Sequence, residues 1–192
     1  VRTGRSWKRS GARTSRRAAS CCWAKAAAVR VANSQFGSTA DDYLKGIALS
    51  NFNGVIYLYV VGHTEGRMPG GQDGYVNVSA GGKDLFAAKI HPDSGTVRWI
   101  RQYGSSGDDQ AAGVACDGSG MVYVVGSTTG ALDGATNLGG TSSAFIMKLD
   151  AYGYGFGTYQ FNVGSPPVGT AAYALAVDST SSLWVTNLYV TG

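Results

Sequence analysis

Two pairs of adjacent aspartates carry the clearest potential chemistry in this 192-residue chain. Asp41-Asp42 and Asp108-Asp109 occupy the same position in two copies of a repeated sequence. Paired carboxylates beside loop carbonyls form a ligand set that suits Ca²⁺. The same side chains can instead cap turns by accepting hydrogen bonds from backbone N–H groups. We expect turn capping and no metal site, because the chain lacks an Asp-x-Asp-x-Asp-Gly spacing and a third copy of the repeat lacks both aspartates.

Other catalytic and cofactor-binding patterns are missing from the sequence. His63 and His91 have no second His or Cys at metal-ligand spacing. The segment 80–84 lacks the first glycine of a phosphate loop, and Asp84 stands where Ser or Thr would bind Mg²⁺. No Gly-x-Ser-x-Gly motif offers a serine nucleophile. Cys116 is the single cysteine after residue 32, so that part of the chain cannot form an internal disulfide. We expect no catalytic site and no cofactor.

The aspartate pairs belong to a longer repeat that must position them. The stretch QFGSTADDYLKGIALS at 35–50 returns as QYGSSGDDQAAGVACD at 102–117, and a fainter copy, AAYALAVD, lies at 171–178. Units of this kind cannot bury their apolar face alone and therefore stack on their neighbours. The expected repeats span about 35–101, 102–158 and 159–192.

Each full repeat is predicted to form four strands, from runs of β-branched and aromatic residues bounded by Gly, Asp and Ser. In the second copy these runs lie at 111–117, 121–128, 143–150 and near 157–161. In the first copy they lie at 44–50, 55–64, 84–93 and 95–104. Pro92-Asp93-Ser94-Gly95 and Asp117-Gly118-Ser119-Gly120 are hairpin signatures. Four antiparallel strands in each unit of about 60 residues predict an all-β chain of β-propeller blades.

Aromatic residues at strand positions are expected to pack between blades. They are Tyr59, Phe86, Trp99, Tyr123, Phe145 and Trp184. An arc of blades leaves its end faces open, so we expect faces bearing Phe86, Trp99 and Phe145 to stay exposed. We therefore expect residues 33–192 to be poorly soluble or oligomeric. In a predicted loop, Asn77-Val78-Ser79 forms an N-glycosylation motif.

The first 32 residues differ from the remainder in composition. They carry nine of the 16 Lys and Arg residues and no acidic residue, whereas the remainder carries seven basic and twelve acidic residues. The formal charge of +4 therefore combines a basic tail with an acidic body. Because the tail shows no apolar periodicity, we expect residues 1–32 to be disordered.

Four interpretations of this tail remain open. Arg- and Ser-rich segments without acidic residues are typical of organellar transit peptides, and such a segment would target the protein to an organelle. A solvated tail, or translated sequence upstream of the true start, fits a chain that opens on Val1. A basic arm for nucleic acid has only Trp7 and Trp23 for stacking, so we expect no nucleic-acid partner. A secretory signal is disfavoured by Lys25 and Arg30, which interrupt the apolar run.

The second copy resembles a known repeat family. GSSGDDQAAGVACDGSGMVYVVGSTTG at 104–130, followed by SSAFIMKLDAYG at 142–153, is similar to the SBBP β-propeller repeat. The resemblance covers about 35–192 and weakens in the third copy, where Gly169 and Thr170 replace the paired aspartates. It implies a multi-bladed propeller of a kind often found in surface or secreted proteins. The resembled family has no uniform catalytic activity that could be carried over to this chain.

The predicted strands amount to about two and a half blades, whereas a closed propeller takes about four or more. We therefore expect a fragment of a larger propeller. The favoured function is a non-catalytic module that binds or scaffolds a protein or glycan through its loop-lined face. The alternative is a metal-dependent or enzymatic propeller that uses the central channel, where the innermost strands offer little beyond Asp117 and Asp178. No run approaches the about 20 apolar residues of a membrane-spanning helix.

Overall fold

A computed structural model describes residues 34–136, 138, 141–162, 169–178 and 187–192. The predictions for the tail at 1–32 and for Trp184 fall outside these residues. Within them, the regular structure is all β apart from one 3₁₀ turn at Leu132–Gly134. Two four-stranded antiparallel sheets and one two-stranded sheet confirm the predicted all-β architecture with two four-stranded units.

Blade 1 consists of β1 (Asp42–Phe52), β2 (Val55–Thr64), β3 (Asp84–His91) and β4 (Thr96–Tyr103). Blade 2 consists of β5 (Asp109–Cys116), β6 (Val122–Thr128), β7 (Ser143–Leu149) and β8 (Gly155–Phe161). The third unit is the hairpin of β9 (Ala174–Asp178) and β10 (Asn187–Thr191). In each blade the strands pair in chain order, so each sheet is a simple antiparallel meander.

The first hairpin shows why strand ends differ from the predicted ones. Strand β1 runs two residues beyond each end of the predicted segment 44–50. At its far end the chain turns through Asn53 and Gly54, whose φ angles are 54° and 79°. Two consecutive positive φ values are the geometry of a type I′ turn, whose twist matches the strands and lets them pair up to the turn.

One cross-strand pair repeats in all three units. Tyr59 lies opposite Ala48 in blade 1, and Tyr123 lies opposite Ala115 in blade 2. In the third unit Tyr189 lies opposite Ala176. The repeat pattern of SSLWVTNLYVTG at 181–192 fits either Trp184 or Tyr189 at this position, and the register selects Tyr189.

The main core lies between the two blades. Tyr59, Val61 and Trp99 of blade 1 belong to one buried cluster with Val124 and Phe145 of blade 2. A smaller cluster joins Val125 and Ala144 to Ala172, and half-buried Leu175 and Val190 of the third unit pack against it. The blades therefore stack face to face along the chain, as the repeat predicts.

Phe86 occupies a different place from the predicted one. It lies on the face of blade 1 directed away from blade 2, in a cluster with Met68 and Ile100. Phe36 covers it edge-on, with ring centroids 6.3 Å apart. The prediction that Phe86, Trp99 and Phe145 remain exposed is wrong, because all three are buried. A chain segment on one face and a neighbouring blade on the other exclude solvent from them.

Candidate functional site

The second aspartate of each pair caps a turn at the entry to a blade. Asp109 Oδ2 accepts hydrogen bonds from the backbone N–H of Ser105 at 2.5 Å and from its hydroxyl at 2.8 Å. Asp42 Oδ2 accepts from the backbone N–H of Ser38 at 2.7 Å, and Asp42 Oδ1 accepts from the Ser38 hydroxyl at 3.0 Å. Each serine precedes its aspartate by four residues, so one local motif is built twice.

The first aspartate of each pair lies at the surface. Asp41 and Asp108 are both exposed. Asp108 Oδ1 accepts a 3.1 Å bond from the backbone N–H of Lys83, and the N–H of Asp108 donates to the Thr129 hydroxyl at 2.8 Å. The first bond ties the entry to blade 2 to the segment that leads into β3 of blade 1, and the second joins it to the end of β6 in blade 2. Within the part of the chain that the structure describes, no group of three or more His, Cys, Asp or Glu residues could hold a metal ion.

Burial changes the electrostatics of Asp109. The loss of solvent raises the pKa of this carboxyl, and the neighbouring Asp84 carboxylate raises it further. Hydrogen bonds from Thr128 and Ser105 oppose the rise. A buried carboxyl of this kind favours its neutral form more than an exposed aspartate does.

Asp84 and Gln102 form a buried contact that the sequence analysis did not anticipate. Asp84 is fully buried, and its Oδ2 accepts from the backbone N–H of Ala80 at 2.9 Å and from Gln102 Nε2 at 2.8 Å. Gln102 Oε1 accepts from the N–H of Met68 at 2.8 Å, and Gln102 Nε2 also donates to the carbonyl of Gly66 at 2.9 Å. One amide thereby fastens the long β2–β3 connection to the outer strand of blade 1.

Blade 2 contains the same arrangement. Gln160 Oε1 accepts from the N–H of Leu132 at 2.8 Å, and its Nε2 donates to the carbonyl of Gly130 at 3.0 Å. The available signal was a Gln before an aromatic residue, which recurs at Gln35, Gln102 and Gln160. We call the side-chain amides of Gln102 and Gln160, with their loop partners, the glutamine clamps.

The asparagine of the predicted glycosylation motif is buried. Asn77 is buried, and its Nδ2 donates to the carbonyl of Pro69 at 2.9 Å. Its Oδ1 accepts from the backbone N–H of Gln102 at 2.8 Å. The motif lies in the β2–β3 connection, as predicted, but the amide nitrogen that would carry a glycan is buried and hydrogen-bonded.

Both histidines pack against tyrosine rings. His63 is buried and stacks on Tyr43 with centroids 4.9 Å apart. Burial lowers the pKa of His63, the positive charges of Lys45 and Lys83 lower it further, and Asp108 opposes the change. The ring of His91 meets Tyr57 edge-on at 5.8 Å. Both imidazole rings therefore pack against the blade as aromatic side chains do.

The acidic residues considered for a central channel are held by local structure. Asp117 Oδ1 accepts from the hydroxyl of Ser119 at 2.7 Å and from the N–H of Met121 at 3.0 Å, and Asp117 Oδ2 accepts from the Tyr123 hydroxyl at 3.2 Å. The Asp117 carboxylate therefore closes the β5–β6 turn, as the hairpin signature indicated. Asp178 ends β9 opposite Asn187.

A cation and an indole of blade 1 hold the β7–β8 turn of blade 2. Lys89 Nζ and Trp99 Nε1 both donate to the carbonyl of Ala151, at 3.2 Å and 3.1 Å. Lys89 also lies 4.0 Å from the ring centroid of Tyr57. Gly153, with φ 81°, lies against the indole, and a Cβ on it would come within 2.9 Å of the Trp99 ring.

Next to this contact, a buried arginine lies between two tyrosine rings. The Arg101 guanidinium carbon is 4.2 Å from the ring centroid of Tyr75 and 4.8 Å from that of Tyr154. Its Nη2 donates to Asp73 Oδ2 at 2.6 Å and to the carbonyl of Tyr152 at 2.9 Å. We call the exposed rings of Tyr75, Tyr152 and Tyr154 the tyrosine patch. The patch joins the β2–β3 connection of blade 1 to the β7–β8 turn of blade 2.

A shallow cleft of about 380 Å³ adjoins the patch. Tyr75 lines it together with Thr39, Arg67, Pro69 and Asn77. The cleft therefore places the cationic side chain of Arg67 beside an exposed aromatic ring.

Comparison with known families identifies one match. Residues 98–132 match the family model described as SBBP, a beta-propeller repeat. The matched segment runs from β4 through β5 and β6 to the 3₁₀ turn, so it spans the junction between the two blades. The comparison with curated proteins found no match. Among the described residues, no helix is long and apolar enough to cross a membrane.

Proposed function

We propose that this chain, which carries an SBBP β-propeller repeat, is a non-catalytic module that binds or scaffolds a protein or glycan through the tyrosine patch. The observation that supports the proposal is a set of three solvent-exposed tyrosines from two blades, two of which flank one immobilised cation. The side-chain exposures of Tyr75, Tyr152 and Tyr154 run from 40% to 63%. That these blades are part of a larger propeller stays a prediction.

The chemistry of the patch suits recognition. Tyrosine offers a large amphipathic ring that loses little conformational entropy on binding, and Tyr and Arg are enriched where binding energy concentrates. Arg101 is buried and bonded on both sides of the patch, so the rings of Tyr75 and Tyr154 are positioned before a partner arrives. Preorganisation lowers the cost of binding. The channel alternative has less support, since the Asp117 carboxylate is engaged in its own turn.

Removing the rings tests the proposal. The full chain is screened against a glycan array and a protein display library, and each hit is measured again with Tyr75→Ala and Tyr154→Ala. Loss of a ring should weaken binding at least about tenfold, which corresponds to about 1.4 kcal/mol. The matched control is Tyr173→Ala, an exposed tyrosine just before β9. Partners that bind both patch variants as tightly as wild type would contradict the proposed site.

A further inference from the structure

One edge of blade 1 presents an apolar row to solvent. Leu44, Ile47 and Leu49 of β1 are large apolar residues, and all three are exposed. They lie on the same face of the sheet as Val60, which pairs with Ile47 and is buried in the cluster around Phe86. The outer part of this face is therefore covered by Phe36 and Met68, while no described residue covers the innermost strand. We call Leu44, Ile47 and Leu49 the β1 row.

The repeat shows what covers a row of this kind. The corresponding residues of β5, 67 positions later, are Ala111, Val114 and Cys116. Both rows contain a register shift at the same place, between Leu44 and Gly46 in β1 and between Ala111 and Gly113 in β5. Ile47 is 67% exposed, whereas Val114 is 9% exposed. The difference arises because blade 1 lies over the row of β5.

The covering face of blade 1 is defined by Tyr59. Tyr59, Val61 and Ala87 form one buried cluster with Val114, and half-buried Cys116 packs against it. Tyr59 is 1% exposed in this position. The β1–β2 hairpin, in which Tyr59 lies opposite Ala48, thus presents part of the surface that covers the innermost strand of the next blade.

In the two described strands of the third unit, the tyrosine of this surface recurs and no described residue buries it. Tyr189 lies opposite Ala176 in the register of Tyr59 and Ala48, and it is 61% exposed. Leu175 and Val190 pack toward blade 2, so alternation along the strands directs Tyr189 away from it. The exposed Tyr189 and the β1 row therefore occupy the positions that face each other in the contact between blades 1 and 2.

We propose that the chain associates with a second copy of itself head to tail, with the Tyr189 face of one copy covering the β1 row of the next. By analogy with Tyr59 and Cys116, Tyr189 lies beside Leu49 of the second copy. The two contacting surfaces differ, so the interface is heterologous and extends into a ring or an open chain of copies. This self-association is separate from partner binding at the tyrosine patch.

Sedimentation velocity of the full chain over a range of concentrations tests this inference. The wild type should form species larger than a monomer, and their fraction should rise with concentration. Leu49→Lys and Tyr189→Lys each place a charge in the buried contact and should weaken association at least about tenfold. The matched control is Val78→Lys, because Val78 is 69% exposed and lies outside both surfaces. It should associate as the wild type does.

Mixing the two variants separates this interface from any other. A Leu49→Lys copy keeps its Tyr189 face, and a Tyr189→Lys copy keeps its β1 row, so the mixture should form dimers and stop there. Ile47→Lys replaces Leu49→Lys if the latter does not retain the β circular dichroism spectrum. A wild type that stays monomeric at every concentration would overturn the proposal. So would a mixture that shows no dimer, or a Val78→Lys variant that is as impaired as the other two.

Discussion

At the scale of single residues, the same repeat position takes on different chemistry when a neighbouring blade covers it. Asp42 and Asp109 both accept bonds from a serine four residues earlier, but Asp42 is exposed and Asp109 is fully buried. Asp84 of blade 1 lies close enough to Asp109 to raise its pKa. The sequence predicted the caps, since Asp and Ser at this spacing form turns. The sequence could not predict the burial of Asp109, because that burial depends on residues of the preceding blade.

Asp109→Asn should make stability less dependent on pH. Burial raises the pKa of Asp109, so the folded state holds this proton more tightly than the unfolded state does. The wild type therefore has its full stability below the unfolded pKa of about 4 and loses stability as pH rises through the higher folded pKa. The variant should lack that loss, so its free energy of unfolding relative to wild type should increase with pH.

Urea unfolding of both proteins from about pH 4 to pH 8 in EDTA measures this difference. Asp42→Asn controls for loss of the serine cap at an exposed position. A difference that is constant with pH would contradict the predicted direction. Repeating the series in Ca²⁺ addresses the paired aspartates, including Asp108→Asn. A calcium-dependent stabilisation of wild type that vanishes in the variants would place a metal at these residues.

At the scale of strands and loops, side-chain amides hold the connecting loops in place where no strand pairing does so. The β2–β3 connection of blade 1 is long, and Gln102 fastens it at Gly66 and Met68. Gln160 fastens the shorter connection of blade 2 at Gly130 and Leu132. The strands were predictable because alternating apolar runs end at Gly, Asp and Pro turns. The glutamine clamps were not, because their partners are backbone groups of a loop whose path the sequence does not specify.

Breaking a clamp should lower stability in proportion to the buried groups left unbonded. Gln102→Leu leaves the N–H of Met68 and the carbonyl of Gly66 without this partner, so it should cost about 1–3 kcal/mol or more in unfolding free energy. Gln160→Leu should have a similar effect in blade 2. Gln35→Leu is the matched control, since Gln35 holds the same repeat position and is exposed. Equal effects of all three substitutions in urea unfolding would contradict the role of the clamps.

At the scale of the whole molecule, the blades form a stack with one direction. The face of blade 1 that carries Tyr59 covers β5, and the equivalent face of blade 2 packs against the third unit. Period-two alternation predicted two faces for each strand, but it could not say which face meets which neighbour. For this reason the prediction that Phe86 packs between the blades is wrong. The exposed apolar residues are Leu44, Ile47 and Leu49.

The three units repeat one register and stack in one direction, and NMR of isotope-labelled protein measures both features. Antiparallel pairing predicts cross-strand nuclear Overhauser effects for Tyr59 with Ala48, for Tyr123 with Ala115 and for Tyr189 with Ala176. Stacking predicts a further contact from the indole N–H of Trp99 to Ala151. A residue other than Tyr189 opposite Ala176 would contradict the shared register, and a Trp99 indole without contacts to blade 2 would contradict the stacking.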